Sequence, residues 1–139
     1  GLVRAQEELI NFCNENKRAG KPLSQDPLIR SKLAEFATSI EAVRTLAYRV
    51  ADQQNRNEMG LMDAGAVKIF ASELLEKFGQ LSSDILGAFG QVKQSKFARL
   101  GGLAEYNYQA CFVPIVSMGT NEIQRNIIAW YGLGLPRMK

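Results

Sequence analysis

The sequence predicts an all-α fold, an up-down four-helix bundle, on three observations. The long segments repeat apolar residues with helical periodicity, and no segment alternates apolar and polar residues for long enough to form a strand ladder. The links between the predicted helices are short. The 139 residues, 46% apolar and 22% charged, have the composition of an ordinary globular protein, and this length predicts one domain covering residues 1–139.

The clearest predicted helix covers residues 26–56. Asp26 suits the N-cap position and Pro27 the first helical position, where its missing N–H is not needed. The apolar residues of this helix follow a heptad seam, which predicts that the seam is buried against neighbouring helices. The seam consists of Ile29, Leu33, Phe36, Ile40, Val43, Ala47 and Val50.

Three further helices complete the predicted bundle. A shorter one covers residues 2–16, a second long one covers residues 61–89, and the last begins near Thr120. Residues 53–60 form a polar connector between the two long helices. Between Gly87 and Met118 the pattern weakens, which predicts an irregular excursion and then a short helix broken near Pro114.

Composition argues against several kinds of site and partner. The chain has no histidine, and its two cysteines, Cys13 and Cys111, lie far apart, so no metal site is expected and a reducing cytoplasm is the simplest location. The net charge is only +3 and the basic residues are scattered, so nucleic acid is not an expected partner. No apolar run reaches the roughly 20 residues of a membrane span. The chain opens inside a helical pattern without a methionine, so we expect it to be a piece of a longer protein.

The stretch "MGTNEIQRNIIAWYGLGLPR" near the end of the chain raises a question about its opening corner. A helix N-terminus presents free N–H groups, and a glycine lets a ligand approach the backbone closely. Gly119 and Thr120 form this corner, and Glu122 lies in the first turn. Two readings stay open: Thr120 caps the helix while Glu122 complements its dipole, or these residues contact a ligand.

This stretch resembles the closing motif of the acyl-CoA dehydrogenases. "NKRAGKPLSQDPLIRSKLAE" and "SELLEKFGQLSSDILGAFG" resemble two earlier parts of the same family's C-terminal four-helix domain, in the same order. The resemblance covers essentially the whole chain and points to a divergent, bacterial member. It implies a three-domain flavoenzyme in which a carboxylate takes the α-proton of an acyl-CoA and FAD accepts the β-hydride. It also implies an electron-transfer flavoprotein as partner and a homo- or hetero-oligomer, a dimer or tetramer, assembled through this domain.

By this resemblance, five residues match positions that contact FAD, and two residues match positions that line the substrate site. The cofactor positions are Asp84, Gly87, Thr120, Asn121 and Glu122, and the substrate positions are Met118 and Gly119. Met118 stands where the family carries its catalytic glutamate, so no catalytic residue is expected in this chain. Met118 is then a packing residue or a wall of the acyl pocket.

Three further departures weaken the match to the family's cofactor positions. Asn16 and Ala19 stand where the family often has an arginine and a phenylalanine near the cofactor. Asp84 would bring negative charge near a pyrophosphate, or it is a solvated residue near a helix end.

Two functions therefore stay open. The chain is the C-terminal domain of an FAD-dependent acyl-CoA dehydrogenase whose base lies before Gly1, or it is a catalytically silent helical oligomerisation module of the same fold. In either case the chain alone is expected to be inactive.

Overall fold

The N-terminal helix α1 spans Leu2–Glu15 in the computed structural model of the chain, which describes residues 1–58 and 60–137. Met59, in the predicted connector, and Met138 and Lys139 lie outside the described residues. Asn16 closes α1, because its backbone N–H and its side-chain amide both donate to the Phe12 carbonyl, at 3.0 and 2.8 Å. Its amide is thus engaged in a helix cap.

A short hairpin follows α1 and departs from the expectation of a fold without strands. β1 (Lys17–Arg18) and β2 (Lys21–Pro22) pair antiparallel across Ala19 and Gly20. These two residues have φ values of +51° and +80°, as in the tight turns that match strand twist. Strands of two residues carry no alternation, so periodicity could not reveal them.

The two long helices form close to their predicted bounds. A single 3₁₀ turn, Leu23–Gln25, leads into α2, which spans Pro27–Asn55. The Leu28 N–H donates to the Asp26 carboxylate at 2.9 Å, which confirms the predicted N-cap. α3 spans Leu61–Leu86, and the last predicted turn of this helix is instead a 3₁₀ segment, Gly87–Gln91.

The C-terminal part contains three shorter helices. After a 3₁₀ segment at Arg99–Gly102 come α4 (Leu103–Ala110), α5 (Phe112–Val116) and α6 (Asn121–Ile127). The break between α4 and α5 falls at Cys111, three residues ahead of Pro114, because a proline conflicts with the carbonyl four residues before it. α6 continues as one π-helical turn, Ile128–Gly132.

The chain divides into two units, and the boundary between the units cuts both α2 and α3. Each of these helices therefore contributes one part to unit 1 and the other part to unit 2. Unit 1 comprises Gly1–Ile40 and Leu74–Cys111, and unit 2 comprises Glu41–Glu73 and Phe112–Lys139. Among the described residues, every fully buried apolar side chain belongs to unit 1. Leu9, Leu33 and Leu74 are among them, and the Phe36 and Phe78 rings pack with centroids 4.9 Å apart. Unit 1 therefore has a largely apolar core of its own, and the all-α fold class is confirmed.

In unit 2, by contrast, the buried side chains are polar. Ser72 and Asn121 are each 2% exposed, while the described apolar side chains remain partly or fully exposed. The predicted burial of the heptad seam is accordingly right for its first four positions and wrong for its last three. Val43 and Val50 are half-buried and Ala47 is exposed, because they fall in the half of α2 that has no closed apolar core within its unit.

None of the described helices combines the length and the apolar character that crossing a membrane requires. Within the same residues, no three Asp, Glu, Cys or His side chains cluster closely enough to hold a metal ion.

Removing the aromatic contact of unit 1 is expected to destabilise the protein strongly. Phe36→Ala should lower the free energy of unfolding by about 3–5 kcal/mol, because the ring is buried and its removal leaves a cavity. Leu28→Ala, which truncates a side chain that is 75% exposed, is the control and should change it by less than about 0.5 kcal/mol. Urea unfolding followed by circular dichroism measures both. Equal effects of the two substitutions would contradict the assigned core.

Candidate functional site

The candidate site in unit 2 is the corner between α5 and α6, residues 117–120. The chain reverses there through two successive left-handed residues, Met118 at φ +52° and Gly119 at φ +80°. This conformation costs an ordinary L-residue about 1 kcal/mol or more, so contacts elsewhere must hold Met118 in it. The Met118 side chain is 83% exposed and does not supply them.

Thr120 forms the N-cap of α6. Its hydroxyl oxygen accepts a hydrogen bond from the Ile123 N–H at 3.3 Å, and its carbonyl accepts from the Gln124 N–H at 2.9 Å. Thr120 therefore caps α6 with both its side-chain oxygen and its backbone carbonyl. The single hydroxyl hydrogen of Thr120 is left over by the cap, and in this structure it serves the Glu122 carboxylate, whose pKa it helps to lower.

Glu122 complements the helix terminus from the first turn of α6. Its own backbone N–H and the Thr120 hydroxyl lower the pKa of the Glu122 carboxyl below its ordinary value, and the positive charges of Arg125 and Lys68 act in the same direction. The carboxylate is therefore ionised at neutral pH and exposed at the mouth of the helix. It adds negative charge where an anionic ligand would otherwise be favoured.

Asn121 is the one predicted cofactor residue whose side chain is buried. Its Oδ1 accepts from the Lys68 ammonium at 2.7 Å, and its Nδ2 donates to the Ser72 Oγ at 3.0 Å. Both polar atoms of the amide thus have partners on α3, as a buried amide requires. The Asn121 side chain is committed to these internal bonds, which leaves its backbone N–H as the group available to a ligand.

Two further hydrogen bonds fix the backbone, one just before the corner and one within it. Lys68 Nζ also donates to the Ile115 carbonyl, at 3.0 Å, near the C-terminal end of α5. Gln124 Nε2 donates to the Met118 carbonyl at 3.1 Å. Gly119 lies against the same glutamine, because a Cβ at position 119 would stand 3.0 Å from Gln124 Nε2. The corner therefore has a defined shape with an exposed, side-chain-free backbone at Gly119.

The other two predicted cofactor residues, Asp84 and Gly87, lie in unit 1. They line an open groove of about 830 Å³ together with Gln80, Ser83 and Glu105, among others. Asp84 is exposed, and its nearest cation is Lys32 at 3.9 Å. Gly87 has a φ of +57° and open space where a Cβ would stand. The groove thus offers amide, hydroxyl and backbone groups beside two carboxylates.

Comparison with known proteins identifies the family of this chain. Residues 1–131 match the family model described as acyl-CoA dehydrogenase, C-terminal domain. The chain belongs to this family. It is 35% identical over 130 residues to an acyl-CoA dehydrogenase of Bacillus subtilis (strain 168), a match that covers 94% of the chain and 32% of that protein.

Two other similarities are informative about the wider family. The chain is 27% identical over 125 residues to the caffeyl-CoA reductase-Etf complex subunit CarC of Acetobacterium woodii, covering 90% of the chain and 31% of CarC. It superposes with a TM-score of 0.91 and 28% identity on a chain of the ChsE4-ChsE5 complex from Mycobacterium tuberculosis, covering 99% of the chain and 36% of that one. The chain therefore spans about a third of the length of the proteins it matches.

Sequence reasoning found the corner but missed the side chains that hold it. Lys68 and Ser72 lie four residues apart and therefore on one face of α3, in a segment that is otherwise largely apolar. That spacing is a usable signal for a buried polar contact. Gln124 carries no comparable signal, because its bond to Met118 depends on a turn that periodicity does not predict.

The lowered pKa of Glu122 predicts a stability difference that depends on pH. Because the folded state favours the ionised carboxylate, its contribution is present above the ordinary carboxyl pKa and is lost as the pH falls through the lower, folded-state value. Glu122→Gln should therefore lower the melting temperature at pH 7 and have no effect in strong acid. Thermal unfolding of both proteins between pH 7 and pH 2 measures this. A difference that stays constant over the whole range would contradict it.

Proposed function

We propose that the full-length protein is an FAD-dependent acyl-CoA dehydrogenase and that this chain is its C-terminal domain, residues 1–139. The observation that carries the proposal is the match of residues 1–131 to the C-terminal domain of that family. The overall reaction is the α,β-dehydrogenation of an acyl-CoA thioester. FAD, when bound, supplies the acceptor for the hydride that leaves the β-carbon.

The residues of the corner fit a neutral part of the cofactor. Gly119 exposes bare backbone, and the Asn121 N–H lies at the N-terminal end of α6. The Thr120 hydroxyl can rotate its hydrogen from the Glu122 carboxylate to a ligand oxygen. These groups suit carbonyl and hydroxyl oxygens of a flavin ring or its ribityl chain. The ionised Glu122 carboxylate disfavours a phosphate at the same place.

The groove at Asp84 and Gly87 does not fit a pyrophosphate. Asp84 and Glu105 both line it, and like charges disfavour a dianionic ligand. Glu105 is paired with Lys93 at 3.4 Å, whereas Asp84 lies 3.9 Å from Lys32 and is largely solvated. We propose that this groove contacts the cofactor through the Gly87 backbone and neutral side chains.

For the substrate, we propose that Met118 and Gly119 line the acyl-CoA site. The exposed thioether of Met118 is an adaptable apolar surface for an acyl chain, and Gly119 admits the thioester close to the backbone. Met118 cannot take a proton, so the carboxylate that removes the α-proton comes from outside residues 1–139. The second candidate, a catalytically silent subunit of the same fold, is favoured by this same methionine.

The proposed partners follow from the exposed apolar surface of unit 2 and from the relatives. Phe112, Val113, Val116 and Ile123 are all exposed, which is the composition of an oligomer interface. One relative is a subunit of an Etf complex, and one solved structure is a two-protein complex. We propose a homo- or hetero-oligomer that passes electrons to an electron-transfer flavoprotein. The free, buried Cys13 and Cys111 are compatible with the cytoplasm.

Flavin absorbance after purification tests the proposal. The full-length protein should carry about one FAD per active site, and the isolated chain should carry none. A helix terminus contributes on the order of 1 kcal/mol, whereas micromolar binding needs about 8 kcal/mol. A colourless full-length protein that FAD cannot reconstitute would contradict the proposed enzyme and favour the silent subunit. A stoichiometrically loaded isolated chain would contradict its role as a dependent domain.

In the full-length protein, Thr120→Ala should weaken FAD binding about fivefold, the equivalent of about 1 kcal/mol, through loss of the cap and of the hydroxyl donor. Thr120→Ser retains both groups and should bind FAD within about twofold of wild type. The control Thr38→Ala removes an exposed hydroxyl that bonds only within α2, to the Ala34 carbonyl, and should leave binding unchanged. Fluorescence titration of the apoprotein with FAD measures all three. Equal behaviour of Thr120→Ala and Thr38→Ala would remove Thr120 from the site.

A further inference from the structure

We propose that Lys68 is the positioning residue of the corner. Through two hydrogen bonds its ammonium fixes where the Met118–Gly119 backbone lies, although Lys68 stands about 50 residues earlier in the chain. This inference rests on the proposed function, because it assigns the corner its role from there. It adds a residue on α3 to a corner that the sequence located on the α5–α6 segment.

The two acceptors of the Lys68 ammonium flank the corner. The Ile115 carbonyl lies in the last turn of α5, where helix carbonyls lack partners in the next turn. Asn121 is the first residue of α6. Lys68 Nζ reaches both, at 3.0 and 2.7 Å, so one ammonium ties the end of α5, two residues before the corner, to the first residue after it.

The fully buried side chains near the corner are polar rather than apolar. Within unit 2 the described buried side chains are Ser72 and Asn121, and the Met118 side chain is exposed. Gln124 also holds the corner, but it belongs to α6 and moves with it. Arg125 pairs with Glu73 of α3, yet both side chains are substantially exposed, and such pairs contribute little. Lys68 is half-buried and bonds to two groups, one of them in a buried amide.

The backbone conformation of Met118, which the Lys68 bonds hold, is costly. Met118 is a left-handed, non-glycine residue, and such a residue persists only where the surrounding structure fixes it. If the tie to Lys68 is removed, the corner can relax toward ordinary backbone angles. The exposed backbone at Gly119 would then shift relative to whatever it contacts, and displacements of about 1 Å at a reacting centre can cost about 100-fold in rate.

The test compares Lys68→Met with Lys77→Met in the full-length protein. Both substitutions remove an ammonium from α3 and keep a side chain of similar length, but Lys77 is exposed and bonds to neither side of the corner. Lys68→Arg restores the charge and a donor. Amide hydrogen exchange of peptides covering residues 111–124 and 1–40 separates a local change from global unfolding. FAD affinity is measured by titration of the same proteins, and kcat and KM are measured at saturating FAD.

Lys68→Met should speed exchange in residues 111–124 by about tenfold, leave residues 1–40 unchanged, and lower kcat about tenfold or more with a smaller change in KM. Lys68→Arg should recover part of both losses, and Lys77→Met should match wild type. Unchanged exchange near the corner in Lys68→Met overturns the inference. So does faster exchange with FAD affinity and kcat within about twofold of wild type.

A wild-type protein that holds no flavin contradicts the proposed function rather than this assignment. Exchange then decides alone: faster local exchange in Lys68→Met supports the tie, and unchanged exchange overturns it.

Discussion

The candidate site depends on one buried side-chain amide, that of Asn121, which needs hydrogen-bond partners inside the protein. Asn121 opens α6 with its side chain out of reach of water, so each of its polar atoms must find a hydrogen bond inside the protein or cost about 1–3 kcal/mol. Lys68 and Ser72, four residues apart on α3, supply those bonds. The start of α6, and with it the turn before it, is thereby set at one place against α3.

This arrangement differs from the way unit 1 is held. Unit 1 has a largely apolar core in which Phe36 and Phe78 pack, so its helices are held mainly by apolar contact. Unit 2 keeps its described apolar side chains at least partly exposed and uses polar bonds to fix its corner. An apolar face that is left uncovered is available to other domains or subunits, as expected of a chain that spans about a third of its relatives. The site and the contact surface therefore belong to the same unit.

The parts of the fold that the sequence predicted are those set by local rules. The Asp26 N-cap, the bounds of α2 and the Thr120 cap follow from residue type and spacing alone, and the structure has all three. The exposure of Ala47 was not predictable in this way, because a heptad pattern shows that a face is apolar but not which chain covers it. The hairpin at Ala19 and Gly20 is too short to carry a pattern. The bond from Lys68 to Asn121 joins residues more than 50 positions apart, and only the fold brings them together.

We propose that the Gly119–Thr120 corner of this acyl-CoA dehydrogenase domain contacts the flavin. The most direct measurement is a structure of the full-length protein with FAD bound, at a resolution that defines hydrogen bonds. The account predicts flavin or ribityl oxygens about 3 Å from backbone or hydroxyl donors of residues 119–121, with the Lys68 bonds to Ile115 and Asn121 intact. A flavin bound elsewhere, with the corner facing solvent or a partner that carries no cofactor, would contradict it.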